Sequence, residues 1–207
     1  MQRSTSKNEA LIHLKKDKVL KKLITQVGEI KLRKETDLYF SLCRSIVSQQ
    51  LSIKAAATIF GRFLVLFKKG YPEPGLLLKL SDEQLRAVGL SYQKAGYLKN
   101  IARFSFEKTL DYKKLKKMSD DELIDFLVQI KGVGRWTVEM ILMFNLNRPD
   151  ILPKDDLGIQ NGIIKQFGLQ ESTKKELHKK MELIAENWRP HRTLACLYIW
   201  KYKDSAL

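Results

Sequence analysis

Apolar residues recur at helical spacing along almost the whole of this chain. Leu11, Leu14, Leu20, Leu23, Ile24 and Val27 fall broadly on one face and predict a helix over 8–27 that Gly28 can end. Thr36 and Asp37 open the next, through Phe40, Leu42, Ile46 and Val47, and it stops at the polar run Ser48, Gln49, Gln50. A largely apolar helix follows over 53–67, then a stiff turn spelled Tyr71, Pro72, Glu73, Pro74, Gly75. Ser81 paired with Gln84 starts a short helix ended by Gly89, and Ser91 caps another that carries Ala95, Leu98, Ile101 and Ala102. Ser119 with Glu122 starts one through Ile124, Phe126, Leu127 and Ile130, up to Gly132. Further helices are expected from Arg135, from the carboxylates Asp155 and Asp156, from Ser172 after Gly168, and from RTLACLYIWKY after Pro190. No stretch alternates with period two, so the prediction is an all-α chain. The first seven residues, MQRSTSK, are expected to be disordered.

Two of the breaks carry chemistry. In Lys131, Gly132, Val133, Gly134 the two glycines are expected to take positive φ and bare their amides, while Val133 plugs inward. The helix that follows presents unpartnered N–H groups and the positive end of its dipole, which makes the turn a candidate phosphate clamp. A plain helix connection fits the same residues. Further on, Leu152, Pro153, Lys154, Asp155 and Asp156 form a proline-stiffened turn that delivers two carboxylates to a helix start. A doubled N-cap is the bland reading of that pair.

Charge narrows the partner. Lys and Arg number 38 against 23 Asp and Glu in 207 residues, a net +15 that favours a polyanion. The lysines at 15, 16, 18, 21 and 22 read as a solvated face. The length suits one well-buried domain, or two lobes sharing a cleft. Cys43 and Cys196 sit in apolar helical contexts and read as buried thiols of a reducing compartment. With no run of about 18 apolar residues and no secretory leader, a soluble intracellular protein is expected, cytoplasmic or nucleoid-associated, with no membrane partner.

Together, IKGVGRWTVEMILMF and ILPKDDLGIQNG resemble the helix-hairpin-helix DNA glycosylases, most closely the 3-methyladenine DNA glycosylase II branch. The resemblance implies two helical lobes with an active-site cleft between them: residues 35–118 with a wedge loop, and residues 8–30 plus 119–207 with the hairpin and the catalytic aspartate. Asp156 fits the family's catalytic register, followed by two variable residues and the apolar Ile159, and stands 20 residues beyond Trp136; Asp155 is the second candidate. Gly132, Val133, Gly134, Arg135 and Thr137 would grip the DNA backbone. Gln50 or Leu51, in SQQLS, would enter the gap left by an extruded nucleotide, although Ser52 simply capping the next helix explains that loop equally well. Trp136, Met140 and Trp200 would line the base pocket, with Met143 on the same face reading as core. Lys94 and Lys99, in a helix that also resembles the family, read as surface residues.

The implied partner is double-stranded DNA with damaged bases, bound by a monomer. No cofactor is required; a structural Na+ or K+ would sit on the main-chain carbonyls of Val128, Ile130 and Val133. Two cysteines are too few for the four-cysteine iron-sulfur site of the endonuclease III branch. Trp136 stands where bifunctional relatives carry a Schiff-base lysine, so the expected activity is monofunctional release of alkylated bases of the 3-methyladenine and 7-methylguanine type. Lys131 and Lys154 are nearby in sequence. The alternatives are a bifunctional glycosylase and lyase for oxidised bases, and a helix-hairpin-helix binding module without catalysis. This chain departs from many relatives at Lys131, where they have proline, and at Met140, where they have an aromatic residue.

Overall fold

A computed structural model describes residues 7–31, 35–170 and 173–205, the last three without their side chains. Everything regular among them is helix. The first ten helices are α1 (Lys7–Leu14), α2 (Lys18–Val27), α3 (Leu38–Ser48), α4 (Ile53–Val65), α5 (Pro74–Lys79), α6 (Asp82–Ala87), α7 (Tyr92–Glu107), α8 (Tyr112–Leu115), α9 (Asp120–Leu127) and α10 (Arg135–Phe144). They are followed by α11 (Leu157–Phe167), α12 (Lys174–Glu186) and α13 (Arg192–Ser205). Two compact units result, one from residues 7–31 with 147–205 and one from residues 35–146.

In the first unit α13 packs on α2 and α11. Gly162 lets α11 come close to α13, since a Cβ there would fall 2.3 Å from Cγ2 of Ile199. The single helix expected over 8–27 is two helices, and Asp17 is the reason. Its Oδ1 accepts the N–H groups of Val19 (2.8 Å) and Leu20 (3.1 Å) and so caps α2. Its Oδ2 accepts from Nε1 of the fully buried Trp188 at 3.1 Å. Of the stretch MQRSTSK, Met1–Ser6 lie outside the described residues, while Lys7 opens α1 with its ammonium on Glu29 and on the carbonyl of Ile30. Ser172, expected to start α12, also lies outside them. Thr173 and Glu176 form the capping box there.

In the second unit α7 packs on α3, α5 and α6, and α10 packs on α3 and α9. Helix α5 begins inside the expected turn, because Pro74 at its first position already has a helical φ and lacks the N–H that a first turn leaves unused. The hairpin helices α9 and α10 group with residues 35–118 rather than with 8–30, which corrects the expected lobe boundary. The reason is visible at Asn145, just past α10, whose Nδ2 donates to Oγ of Ser41 (2.8 Å) and to the carbonyl of Glu35 (3.2 Å). Cys43 and Cys196 are buried thiols outside any disulfide, and burial pushes the pKa of Cys43 up to about 12.

Candidate active site

The hairpin starts from the predicted capping box at Ser119 and Glu122. Helix α9 ends at Leu127, earlier than Ile130, and the chain turns through 128–134. Gly132 has φ +104, and a Cβ on it would lie 2.2 Å from Cγ of Tyr97, so this position tolerates only glycine. Val133 is buried, as expected. Gly134 differs from expectation: its φ of −94 and ψ of 172 are extended backbone that any residue adopts. As N-cap of α10 it supplies no side chain to the first turn, and nothing lies within 4 Å of where its Cβ would be. An anion can therefore approach the start of α10 closely.

Arg135 is largely exposed while its Nε reaches Oε1 of Glu139 at 3.2 Å. The side chain of Thr137 is not available to DNA. It is buried, with Oγ1 facing Nε2 of Gln49 at 3.4 Å, because α10 turns this position inward. Thr137 can offer DNA its main chain only.

The proline-aspartate loop is pinned from several sides within its own unit. Arg192 donates from Nε to Oδ1 of Asp150 (2.7 Å) and from Nη2 to Oδ2 (3.0 Å), and the N–H of Ile151 donates to Oγ1 of Thr193 at 3.0 Å. Lys154 is ion-paired with Glu182 on α12. The loop then closes as the N–H of Asp156 donates to the carbonyl of Pro153 at 3.1 Å. Asp156 is the N-cap of α11, and its Oδ1 accepts the Ile159 N–H at 2.8 Å. The same oxygen accepts Nε1 of Trp200, from α13, at 2.8 Å. Glycine at 158 keeps room for this pair, since a Cβ would sit 2.9 Å from both Asp156 Oδ1 and Trp200 Nε1.

Asp155 is placed quite differently. It points to Lys174 (2.7 Å) and His178 (3.7 Å), and the hydrogen bond from Lys174 holds its carboxyl below the usual carboxylate range. One carboxylate is thus a surface ion pair and the other an oriented group under an indole.

The unit of Asp156 thus carries a capped, indole-bound aspartate 20 residues past Trp136 in the sequence, and the other unit carries a glycine hairpin. Residues 43–187 match the HhH-GPD superfamily base excision DNA repair proteins. The chain belongs to that superfamily. It is 40% identical over 204 residues to DNA-3-methyladenine glycosylase 1 of Schizosaccharomyces pombe, covering 95% of this chain and 88% of that one. Among solved structures it is similar to the S. pombe 3-methyladenine DNA glycosylase in complex with abasic DNA, with a TM-score of 0.85 at 38% identity, covering 96% and 97% of the two chains. It is also similar to a DNA-3-methyladenine glycosidase from Bacillus halodurans, with a TM-score of 0.76 at 35% identity over 97% and 90% of the two chains.

For this HhH-GPD chain the remaining expected site residues divide between the units. Trp136 and Met140 are half-buried on α10, and Met143 beside them is core. Trp200 lies with Asp156 in the other unit. Gln50 takes φ +57 and is exposed, as is Leu51, while Ser52 accepts the Ala55 N–H and caps α4. The capping role expected of Ser52 is thus present, with Gln50 and Leu51 exposed just before it. Of the carbonyls expected to hold a cation, that of Ile130 already accepts the Val133 N–H at 2.9 Å.

Reading the sequence missed the link from Trp200 to Asp156, for which the small residue at 158 was the available signal. It also missed Lys94, which looked like a surface residue yet donates to two main-chain carbonyls. Lys99 is likewise engaged, in an ion pair with Asp82.

Proposed function

We propose that this chain is a monofunctional DNA glycosylase that binds double-stranded DNA, extrudes alkylated purines of the 3-methyladenine and 7-methylguanine type, and hydrolyses their N-glycosidic bond in base excision repair. The observation that carries the reading is the carboxylate of Asp156, oriented by the Ile159 N–H and the Trp200 indole on one oxygen. As the base departs with the bonding electrons, positive charge develops over C1′ and the ring oxygen of the deoxyribose. A fixed carboxylate stabilises that charge. It can also take the proton from the water that attacks C1′, leaving an abasic sugar and the free base.

Alkylation at N3 or N7 makes a purine cationic, so its glycosidic bond is already weakened. Trp136 would stack on such a base and add a cation–π contribution of about 0.5 to 2 kcal/mol. Strand cleavage through an imine needs a free amine in the site. Trp136 offers none, and the ammonium of Lys154 is taken by Glu182.

The start of α10 and the exposed Arg135 would take a phosphate, and Gln50 or Leu51 would fill the vacated stack. A Na+ or K+ would be held by the carbonyls of Val128, Ile130 and Val133. Its fit rests on Val128 and Ile130 falling past the last turn of α9, the Ile130 carbonyl keeping a second lone pair beside the one taken by the Val133 N–H. Such an ion would add positive charge beside the phosphate, and no step of the hydrolysis depends on it. The protein would act as a monomer beside the DNA, in the cytoplasm or nucleoid. Among the described residues no helix is long and apolar enough to cross a membrane.

The test is base release from methylated duplex DNA. Asp156→Asn should lower the single-turnover rate by roughly 10²-fold or more with duplex affinity kept within a few-fold, because asparagine still caps the helix but cannot balance a developing cation. Asp155→Asn should stay within a few-fold of wild type. A silent Asp156→Asn with a dead Asp155→Asn would reverse the assignment, and a borohydride-trapped covalent complex would overturn the monofunctional reading.

A further inference from the structure

Helix α7 carries three side chains at successive i, i+3 positions, Lys94, Tyr97 and Asn100, and each holds a turn that the glycosylase reading needs. Residues so spaced lie along one helix face. Nζ of Lys94 donates to the carbonyls of Val47 and Gln49, both at 2.7 Å. Those carbonyls lie at the C-terminal end of α3, where intrahelical partners run out and the helix dipole is negative. The ammonium is half-buried there, so desolvation pushes its pKa down even as two carbonyls hold it. One residue beyond this clamp Gln50 takes its φ of +57, and the Leu51 N–H closes the turn on the Ser48 carbonyl at 3.2 Å.

Tyr97 packs its ring against Gly132, and its hydroxyl accepts from Gln93 at 2.7 Å. Asn100 donates from Nδ2 to the carbonyl of Lys131 at 3.2 Å. Gln49 closes the arrangement from the other side. Its Nε2 lies 3.4 Å from both the Gly132 carbonyl and Oγ1 of Thr137.

We propose that Lys94 is a positioning residue for base extrusion, which with Tyr97 and Asn100 makes α7 a common template holding the Gln50–Leu51 turn and the Gly132 hairpin at a fixed spacing. The proposal rests on the glycosylase reading above. A wedge can fill a vacated stack only if its base does not yield, and a hairpin that grips the backbone must stay in register with it. Lys94 supplies the first condition by tying off the carbonyls of Val47 and Gln49, on either side of the Ser48 carbonyl that closes the turn. Its ammonium is engaged by these two carbonyls, so its loss should cost extrusion and not hydrolysis.

The experiment compares release of 7-methylguanine from two substrates, a fully paired duplex and a single-stranded oligonucleotide in which the base is already unstacked. Lys94→Met should slow the paired substrate by about tenfold or more and the single strand by no more than about two- to threefold, because only the duplex charges the cost of unstacking. Lys94→Arg, which keeps a cationic donor, should recover most of the lost rate. A 2-aminopurine beside the lesion should brighten less with Lys94→Met than with wild type, a readout independent of bond cleavage.

Equal loss on both substrates, or no loss on either, would overturn the proposal. Should Lys94→Met fail to fold by thermal melting, Asn100→Ala is read by the same two-substrate ratio, and a ratio equal to that of wild type would overturn the template. Wild type inactive on both substrates would instead sink the glycosylase reading itself.

Discussion

At the residue scale the proposed catalytic group is Asp156, and its partners set it apart from Asp155, which is ion-paired with Lys174. Both are aspartates at a helix start, but only Asp156 accepts the Trp200 indole N–H. Trp200 was expected to stack on a base. Its hydrogen bond makes it an orienting group for the carboxylate, whatever its ring also touches. Trp200→Phe keeps most of the ring and removes the N–H, and a hydrogen bond to a charged group contributes about 1.5 to 3 kcal/mol. The expected result is base release slowed roughly tenfold or more, with duplex affinity and melting temperature close to wild type. Single-turnover rates beside a thermal melt check this, and a full-speed, folded Trp200→Phe would show that the indole N–H is idle.

At the scale of elements the hairpin makes a contrast out of two glycines that look alike in GVG. Gly132 has φ +104 and the Tyr97 ring where its Cβ would go. A left-handed backbone penalty of about 1 to 2 kcal/mol and overpacking of about 1 to 3 kcal/mol together predict that Gly132→Ala destabilises the fold by about 2 to 5 kcal/mol in urea titration. Gly134 has an ordinary φ and open space, so Gly134→Ala should leave the urea midpoint unchanged. Its methyl group would stand where a phosphate approaches the start of α10. Duplex affinity should therefore fall while stability does not, and a Gly134→Ala protein that binds DNA as wild type does would remove the helix start from the interface.

At the scale of the whole molecule the net charge of +15 is the main fact. Much of it is displayed on side chains without chemistry, such as the exposed lysines of α1, α2 and the turn joining them. Such charge favours any duplex regardless of lesion, and each phosphate it neutralises releases counterions. The logarithm of duplex affinity should fall linearly with that of salt concentration, with a slope of about −0.9 for each phosphate contacted. Fluorescence anisotropy from dilute to physiological salt measures it. A flat response would mean that the charge serves solubility alone.

The all-α class, most helix starts and the superfamily were legible in the sequence because they are local. A capping box such as Ser119 with Glu122 is satisfied by residues three apart, a glycine turn by its own backbone, and the register of Asp156 by counting along one segment. What failed to show was set by partners distant in the chain. Asp17 splits the first helix because Trp188 comes to meet it, and α9 with α10 joins residues 35–118 because Asn145 finds Ser41. Thr137 reads as an exposed residue of a binding turn until packing turns it inward onto Gln49. Sequence determined which residues could serve as carboxylate, clamp and wedge. Only the tertiary structure decided that Trp200 donates to the Asp156 carboxylate and that Lys94 ties off the carbonyls next to Gln50, since a hydrogen bond across 44 or 47 residues leaves no periodic trace in the chain.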